Sequence, residues 1–373
     1  MTSSRGLLDT ADVVVIGAGI VGLAHAYRAV ERGLSVVVIE RDQWATGASV
    51  RNFGHGCLTA QHGTALDFGS ASRADWLALA KTAGFWLREG GTVVAARAED
   101  EYAVLTEFAD LRGDQVRLLS AAEVADRASL GPEVIGGAEF PMDFRVDPRE
   151  AVHAIARHLA AAGVRFHWAT TAHLIEPGEV TTSRGLVRGD SVIVTVGHDV
   201  DRHFPELAQR HAIQRCELHM LRVADPHHRT VDPAVLTGFA LLRYEGFASC
   251  RSLPAVRSRL DSEHAELTRI GLNLMFTQLP DGDLTIGDTH HYATTVDPYR
   301  GEDLDDRVLA ASASLLGVAE LTVRERWRGV YAAAPDPFLV AEPADGVRVV
   351  SVTSGIGMTT AFGLATSVID TLT

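Results

Sequence analysis

Three glycines, Gly17, Gly19 and Gly22, and an acid at Glu40 have the types and spacing that most directly specify chemistry in this chain. In the run Gly17-Ala-Gly-Ile-Val-Gly22, the first glycine permits a tight turn after an apolar segment. The second lets the backbone approach a pyrophosphate, and the third lets the following helix pack closely on its strand. A helix opening there presents N–H groups and a positive dipole end to phosphate. Glu40 ends the next apolar run, placed to accept from ribose hydroxyls. The reading is a dinucleotide site; the alternative is a glycine-rich packing turn.

A second set of residues has the chemistry for a reaction beside that site. Of sixteen histidines, His290, His219 and His55 are candidates to take a proton from a bound amine, since imidazole titrates near neutrality. His227, His228 and His264 read as surface residues. Arg51, Arg215, Arg243 and Arg251 are candidate ligands for an anionic group, against a surface role for each singly. Tyr331 is a candidate donor to a substrate oxygen or a half-buried packing residue. Lys81 is the sole lysine, so a mechanism needing one must use it. Cys57, Cys216 and Cys250 show no CxxC spacing and no metal partners, so reduced thiols in a cytoplasmic protein and no metal site are expected.

The elements that must hold these groups follow from periodicity. Asp12–Ile16 and Ser35–Glu40 read as buried parallel strands flanking a helix that ends before Gly33, one βαβ unit. A glycine-rich stretch over 46–56 precedes a helix over 71–88. Gly91–Ala96 reads as a strand of a different sheet. Helices are expected over 121–128, 149–162 and 304–316, and strands over 164–168, 191–196, 218–223, 271–277, 284–286 and 347–352, with a helix closing the chain. The fold class is α/β plus α+β: a Rossmann-type binding domain in three segments, 1–90, 146–214 and 321–373, with a mainly antiparallel substrate domain over 91–145 and 215–320. A length of 373 residues accords with two domains. A net charge of −14 argues against nucleic acid or an anionic membrane as the partner. The opening lacks a signal pattern and no apolar run is long enough to span a bilayer.

Four separated motifs carry a resemblance. Gly47-Ala-Ser-Val-Arg-Asn-Phe-Gly54, Val192–Gly197, Trp327–Asp336 and Gly355-Ile-Gly-Met-Thr-Thr360, with the first glycine loop, resemble the D-amino acid oxidase, glycine oxidase and sarcosine oxidase superfamily of FAD enzymes over essentially the whole chain. The resemblance implies non-covalent FAD held by Gly17, Gly19, Ile20, Val21, Gly22, Glu40 and Arg41, then by Ala48, Ser49, Arg51, Asn52, Phe53 and Gly54. Further contacts are implied from Ala172 and Gly197, and from Gly355, Ile356, Gly357, Met358, Thr359 and Thr360. The Gly355 turn would present N–H groups to the flavin carbonyl edge. The Gly-Ala-Ser-Val-Arg-Asn-Phe-Gly motif is similar to a branch associated with phosphonate breakdown.

The departures from that family bear on chemistry. Where glycine and D-amino acid oxidases carry a carboxylate-gripping arginine, this chain has Val330-Tyr331-Ala332; Arg328 precedes the glycine and by alternation points away. Gly329 stands where sarcosine oxidases attach flavin through cysteine; His55 is the alternative covalent anchor. Thr285 stands where they carry an oxygen-activating lysine. The resemblance places His290 and His291 at the substrate, and His219 on a strand facing the flavin cavity. It implies hydride transfer from a small primary or secondary amine to flavin N5, imine hydrolysis, and re-oxidation by O2. The expected substrate is 2-aminoethylphosphonate or its N-methyl form. A dehydrogenase passing electrons to a quinone or carrier protein, and a tailoring enzyme acting on a larger intermediate, stay open, as does the oligomeric state.

Overall fold

The computed structural model describes residues 6–372. The first strand, Leu7–Ile16, starts earlier than its apolar core and pairs in parallel with Val36–Ile39 on one side and Leu186–Val194 on the other. Val347–Ser354 and Arg165–His167 extend this parallel layer at its two edges. Its central residues, among them Val14, Val15, Val37, Val38 and Val192, are inaccessible to solvent, as strands covered on both faces require. Helices Ile20–Glu31, Pro148–Ala161 and Gly357–Ile369 cover one face through Leu23, Ile155 and Phe362.

A second layer runs in the order Arg117–Ser120, Gly136–Phe140, Thr92–Ala96, Ala234–Leu236, Met275–Gln278, Leu284–Gly287, Gln214–Val223. All its pairings are antiparallel except Ala234–Leu236 with Thr92–Ala96. The two layers are not separate sheets. The 22-residue strand Val323–Ala344 pairs with Gln214–Val223 along its first half and with Val347–Ser354 along its second, joining them into one 16-stranded sheet. The separate sheet expected for Gly91–Ala96 is thus corrected. That strand leaves register between Ala333 and Phe338, where Pro335 and Pro337 lack the N–H a ladder needs.

The helix expected over 71–88 is Gly63–Leu79, continued by a wider turn over Ala80–Gly84. Its inward face is Ala65, Gly69, Ser72, Asp75, Trp76 and Leu79, mostly small or polar, so apolar periodicity does not reveal its start. Leu87–Arg88 is instead a strand beside Phe144–Val146. The strand expected over 271–277 begins at Met275, because Gly271 holds a left-handed turn. Among the described residues, no helix is long and apolar enough to cross a membrane.

Candidate functional site

The glycine turn, the parallel-strand ends and the inner face of the antiparallel layer enclose one cavity of about 940 Å³. At its outer end Gly17 sits at φ +106°, and a Cβ there would meet Thr195 O at 2.6 Å. A Cβ on Gly22 would lie 2.0 Å from Gly17 O, so only glycine lets the helix begin this close to the turn. The Glu40 carboxylate accepts from Ala18 N at 2.8 Å and Asp42 N at 3.0 Å, and Ser49 Oγ accepts from Ile20 N at 2.9 Å. No acid stands in the first helical turn, so no carboxylate of the helix itself competes with an anion at its dipole end. Arg41 and Arg202 both bond Asp199. Burial opposes the charge of that carboxyl, but these bonds and neighbouring His198 hold it well below the usual range.

Along the middle, Asn52 ties the segment together. Its Nδ2 donates to Ala48 O and Ser49 O, and Gly54 N donates to its Oδ1 at 2.7 Å. Ala48, Ser49, Arg51, Asn52 and Phe53 line this length together with Gly329, Val330 and the Gly355–Thr359 turn, Gly329 packing against Arg51 O. Backbone and small residues line most of this length. That is the kind of surface an extended dinucleotide fits.

Gly19, Ile20, Val21, Glu40, Arg41, Ala172, Gly197, Ile356, Gly357 and Met358 also line the cavity, but Gly22, Gly54 and Thr360 stand behind its wall. Gly54 is backbone packing: a Cβ there would lie 1.9 Å from Val146 O. Thr360 donates its hydroxyl to Ile356 O within the closing helix.

At the inner end stand Arg243, Tyr244, Asn273, Met275, Asp288, His290 and Tyr331. Arg243 donates to the Tyr331 hydroxyl, to Tyr292 Oη at 3.5 Å and to Ser354 O at 3.5 Å; among the described residues no carboxylate pairs with it. Burial opposes its charge, yet the two phenols and Asp288 keep the guanidinium protonated. Burial pushes the Tyr331 hydroxyl well above its ordinary range, so it stays a donor. The Tyr331 ring rests on Gly355, where a Cβ would meet it at 3.0 Å. His290 Nδ1 bonds Gly271 O at 2.9 Å, and burial lowers its pKa.

Several expected site residues lie elsewhere. His219 does not face the cavity: on its strand Leu218 does, and His219 turns the other way to bond Asp305 at 3.1 Å. Arg215 is spent on Asp199 and Asp201, and Arg251 lies outside the cavity. Arg328 points away as alternation requires, toward Pro298 O and Glu217. Thr285 and Lys81 do not line the cavity. His227, expected at the surface, is half-buried and bonds Leu316 O.

His55 reaches the wall, where its Nε2 bonds Thr92 Oγ1 at 2.7 Å and its buried Nδ1 has no hydrogen-bond partner. Cys57 lies with His55 and Asp143, a metal-capable trio that its spacing did not reveal. Asp143 already accepts from Leu58 N, Thr59 N and the hydroxyls of Thr59 and Thr92, and burial keeps the Cys57 thiol protonated. The trio is a buried peg under the wall. Asp288 and Asn273 carried no sequence signal, since single polar residues beside a buried strand are ordinary.

Residues 12–371 match the family described as FAD dependent oxidoreductase (DAO). No curated protein matches the chain significantly. Solved structures with the same fold include glycine oxidase from Geobacillus kaustophilus, 18% identical, covering 97% of this chain and 94% of that one at a TM-score of 0.79. L-Proline dehydrogenase from P. horikoshii is 19% identical, covering 98% and 94% at 0.80. Iminodiacetate oxidase from Chelativorans sp. BNC1 is 19% identical, covering 96% and 95% at 0.74.

Proposed function

Because the chain belongs to the DAO family of FAD-dependent oxidoreductases, we propose that it oxidises a small primary or secondary amine bearing an anionic head group, an aminophosphonate such as 2-aminoethylphosphonate or its N-methyl form. The observation that carries this reading is Arg243, a guanidinium in the inner end of the cavity whose described bonds go to two phenols and a carbonyl, with no carboxylate. A half-buried cation facing a cavity without an anion is incompletely compensated, and an oxyanion of the substrate completes it. The family's carboxylate-gripping device has no counterpart at Val330–Ala332, which favours a head group other than that of a plain α-amino acid. FAD bound in this cavity would supply the hydride acceptor for oxidation of the carbon beside the nitrogen.

The chain's own residues do the rest. Arg243 and Tyr331 hold the oxyanion and thereby orient the reacting carbon toward the Gly355 turn. Gly17–Val21, Glu40, Ser49 and Gly355–Thr359 would hold the cofactor without a covalent bond. The neutral amine is the reactive form, so kcat/KM rises with pH through an ionisation of substrate or of His290. The product imine hydrolyses to an aldehyde or keto compound. Re-oxidation by O2 is the family expectation, with a positive group other than lysine beside the ring. We place the protein in the cytoplasm on its reduced, buried cysteines.

The test compares 2-aminoethylphosphonate, its N-methyl form, sarcosine, glycine and D-alanine by anaerobic bleaching of the flavin. Preference for glycine or D-alanine, or silence with all, refutes the reading. Peroxide released when the reduced enzyme meets oxygen marks an oxidase; its absence marks a dehydrogenase.

A further inference from the structure

Opposite Arg243 the same chamber holds a second charge of the other sign. Asp288 is 5% exposed and lines the cavity with His290 and Asn273. Its Oδ1 accepts from Asn273 Nδ2 at 3.1 Å, and its Oδ2 lies 3.8 Å from His290 Nε2. Among the described residues no arginine or lysine pairs with it, although Arg243 lines the same space.

The bonds also determine which atoms carry protons. Gly271 O is only an acceptor, so His290 Nδ1 must carry the ring's proton, and in the neutral imidazole Nε2 is a bare lone pair. Asn273 spends its Nδ2 on Asp288, which leaves Asn273 Oδ1 buried without a donor. Asn273 Oδ1 is thus a buried acceptor without a donor, a state buried polar groups rarely keep. Asp288 Oδ2 and His290 Nε2, 3.8 Å apart, are two further acceptors on the same stretch of cavity lining. A group with several N–H donors and a positive charge would complement these acceptors and the Asp288 carboxylate.

We propose that Asp288, Asn273 and His290 form an ammonium subsite, so that the chamber takes its substrate as a zwitterion, anion on Arg243 and ammonium on Asp288, and His290 Nε2 accepts the ammonium proton. The inference rests on the reading that the cavity oxidises an anionic amine. In the step, one N–H bond of the ammonium breaks and an N–H bond forms at His290 Nε2. The electron pair stays on the substrate nitrogen, where it assists departure of hydride from the adjacent carbon. Asp288 stabilises the resulting imidazolium.

Burial and Arg243 hold the imidazole below its ordinary pKa, with Asp288 and the Gly271 carbonyl opposing them. Tyr331 and Tyr292 face the ring from the other strands at 6.5 and 6.4 Å. Both stay neutral through the acid range, because burial raises their pKa values.

The experiment uses the full-length, FAD-loaded enzyme and two probes, 2-aminoethylphosphonate and ethylphosphonate, which differ in the amine. Apparent Kd is read from the concentration dependence of the flavin absorbance change, whether band shift or bleaching. Asp288→Asn is expected to weaken the amine probe by roughly 10- to 100-fold, the worth of a charge-assisted hydrogen bond, and to leave ethylphosphonate within about twofold. Equal weakening of both probes, or none, overturns the subsite.

In the wild type, the affinity ratio of the two probes is expected to fall as pH drops through the lowered His290 pKa, because an imidazolium repels the ammonium. His290→Asn, whose amide still donates to Gly271 O, abolishes that dependence. An unchanged pH profile overturns the proton transfer, and this arm decides the matter if Asp288→Asn fails to fold. Amine-selective binding without bleaching by any amine would leave the subsite standing and refute the oxidation reading; bleaching without amine selectivity would do the reverse.

Discussion

Arg243 and Tyr331 act as a pair, and substitutions separate what each supplies. Arg243→Met is expected to lower kcat/KM for an aminophosphonate by roughly 30- to 1,000-fold, about 2–4 kcal/mol, because a buried charge partner is lost. Tyr331→Phe removes one neutral donor and is expected to cost about tenfold, near the value of a single hydrogen bond. Steady-state kinetics with 2-aminoethylphosphonate and a non-anionic amine check this; an equal loss with the non-anionic amine would mean Arg243 is structural. Tyr331 and His290 were legible as candidates because the motifs around them fall at recognisable places in the chain. Arg243 was one of several arginines with equal claim, and the structure separates it from Arg215, which Asp199 and Asp201 neutralise. His219 was misread because alternation was applied in the wrong phase: Leu218 faces inward. A one-residue error in phase turns a strand's whole side-chain set to the other face.

At the level of elements, the turn from Leu7–Ile16 into Ile20–Glu31 is where local sequence and tertiary packing agree most closely. Gly22→Ala is expected to push the helix off the strand, since its Cβ would meet Gly17 O at 2.0 Å. Overpacking of this kind costs about 1–3 kcal/mol. The purified variant should lose FAD on gel filtration and unfold at lower temperature; normal FAD content would show that the turn tolerates the shift. The same helix carries His25, fully buried, with Nδ1 bonded to Val21 O and Nε2 without a partner. Burial lowers its pKa from 6.5 to about 4. An unfolded histidine binds a proton below pH 6.5 that the folded one refuses until about pH 4. Its contribution to stability is therefore complete above pH 6.5 and is lost as pH falls through this window. Denaturant titrations of His25→Leu against wild type from pH 7 to 4 should show a shallower decline in the variant, and parallel curves would refute the assignment.

For the molecule as a whole, the strand Val323–Ala344 makes the cofactor cradle and the substrate chamber parts of one hydrogen-bonded sheet. Ligation of the cradle is therefore expected to stabilise both layers together. A hundredfold excess of FAD over its Kd should add about 2.7 kcal/mol to the stability of the apoprotein. A single calorimetric transition that moves upward with FAD checks this; two transitions of which one stays put would mean the layers unfold independently. Sequence alone determined the βαβ unit, with its Gly17–Gly22 turn and Glu40 after the second strand. Each depends on short-range constraints, a tight turn or a period of two or 3.6, that neighbouring residues express by themselves. Tertiary structure alone decided that the two layers share one sheet, that His55 and Cys57 form a buried peg, and that Asp288 faces Arg243 across the chamber. The residues of such contacts are far apart in the chain, Asp288 in the segment after the strand Leu284–Gly287 and Arg243 in the turn after the helix Gly238–Leu241, and no local pattern encodes a meeting that packing brings about.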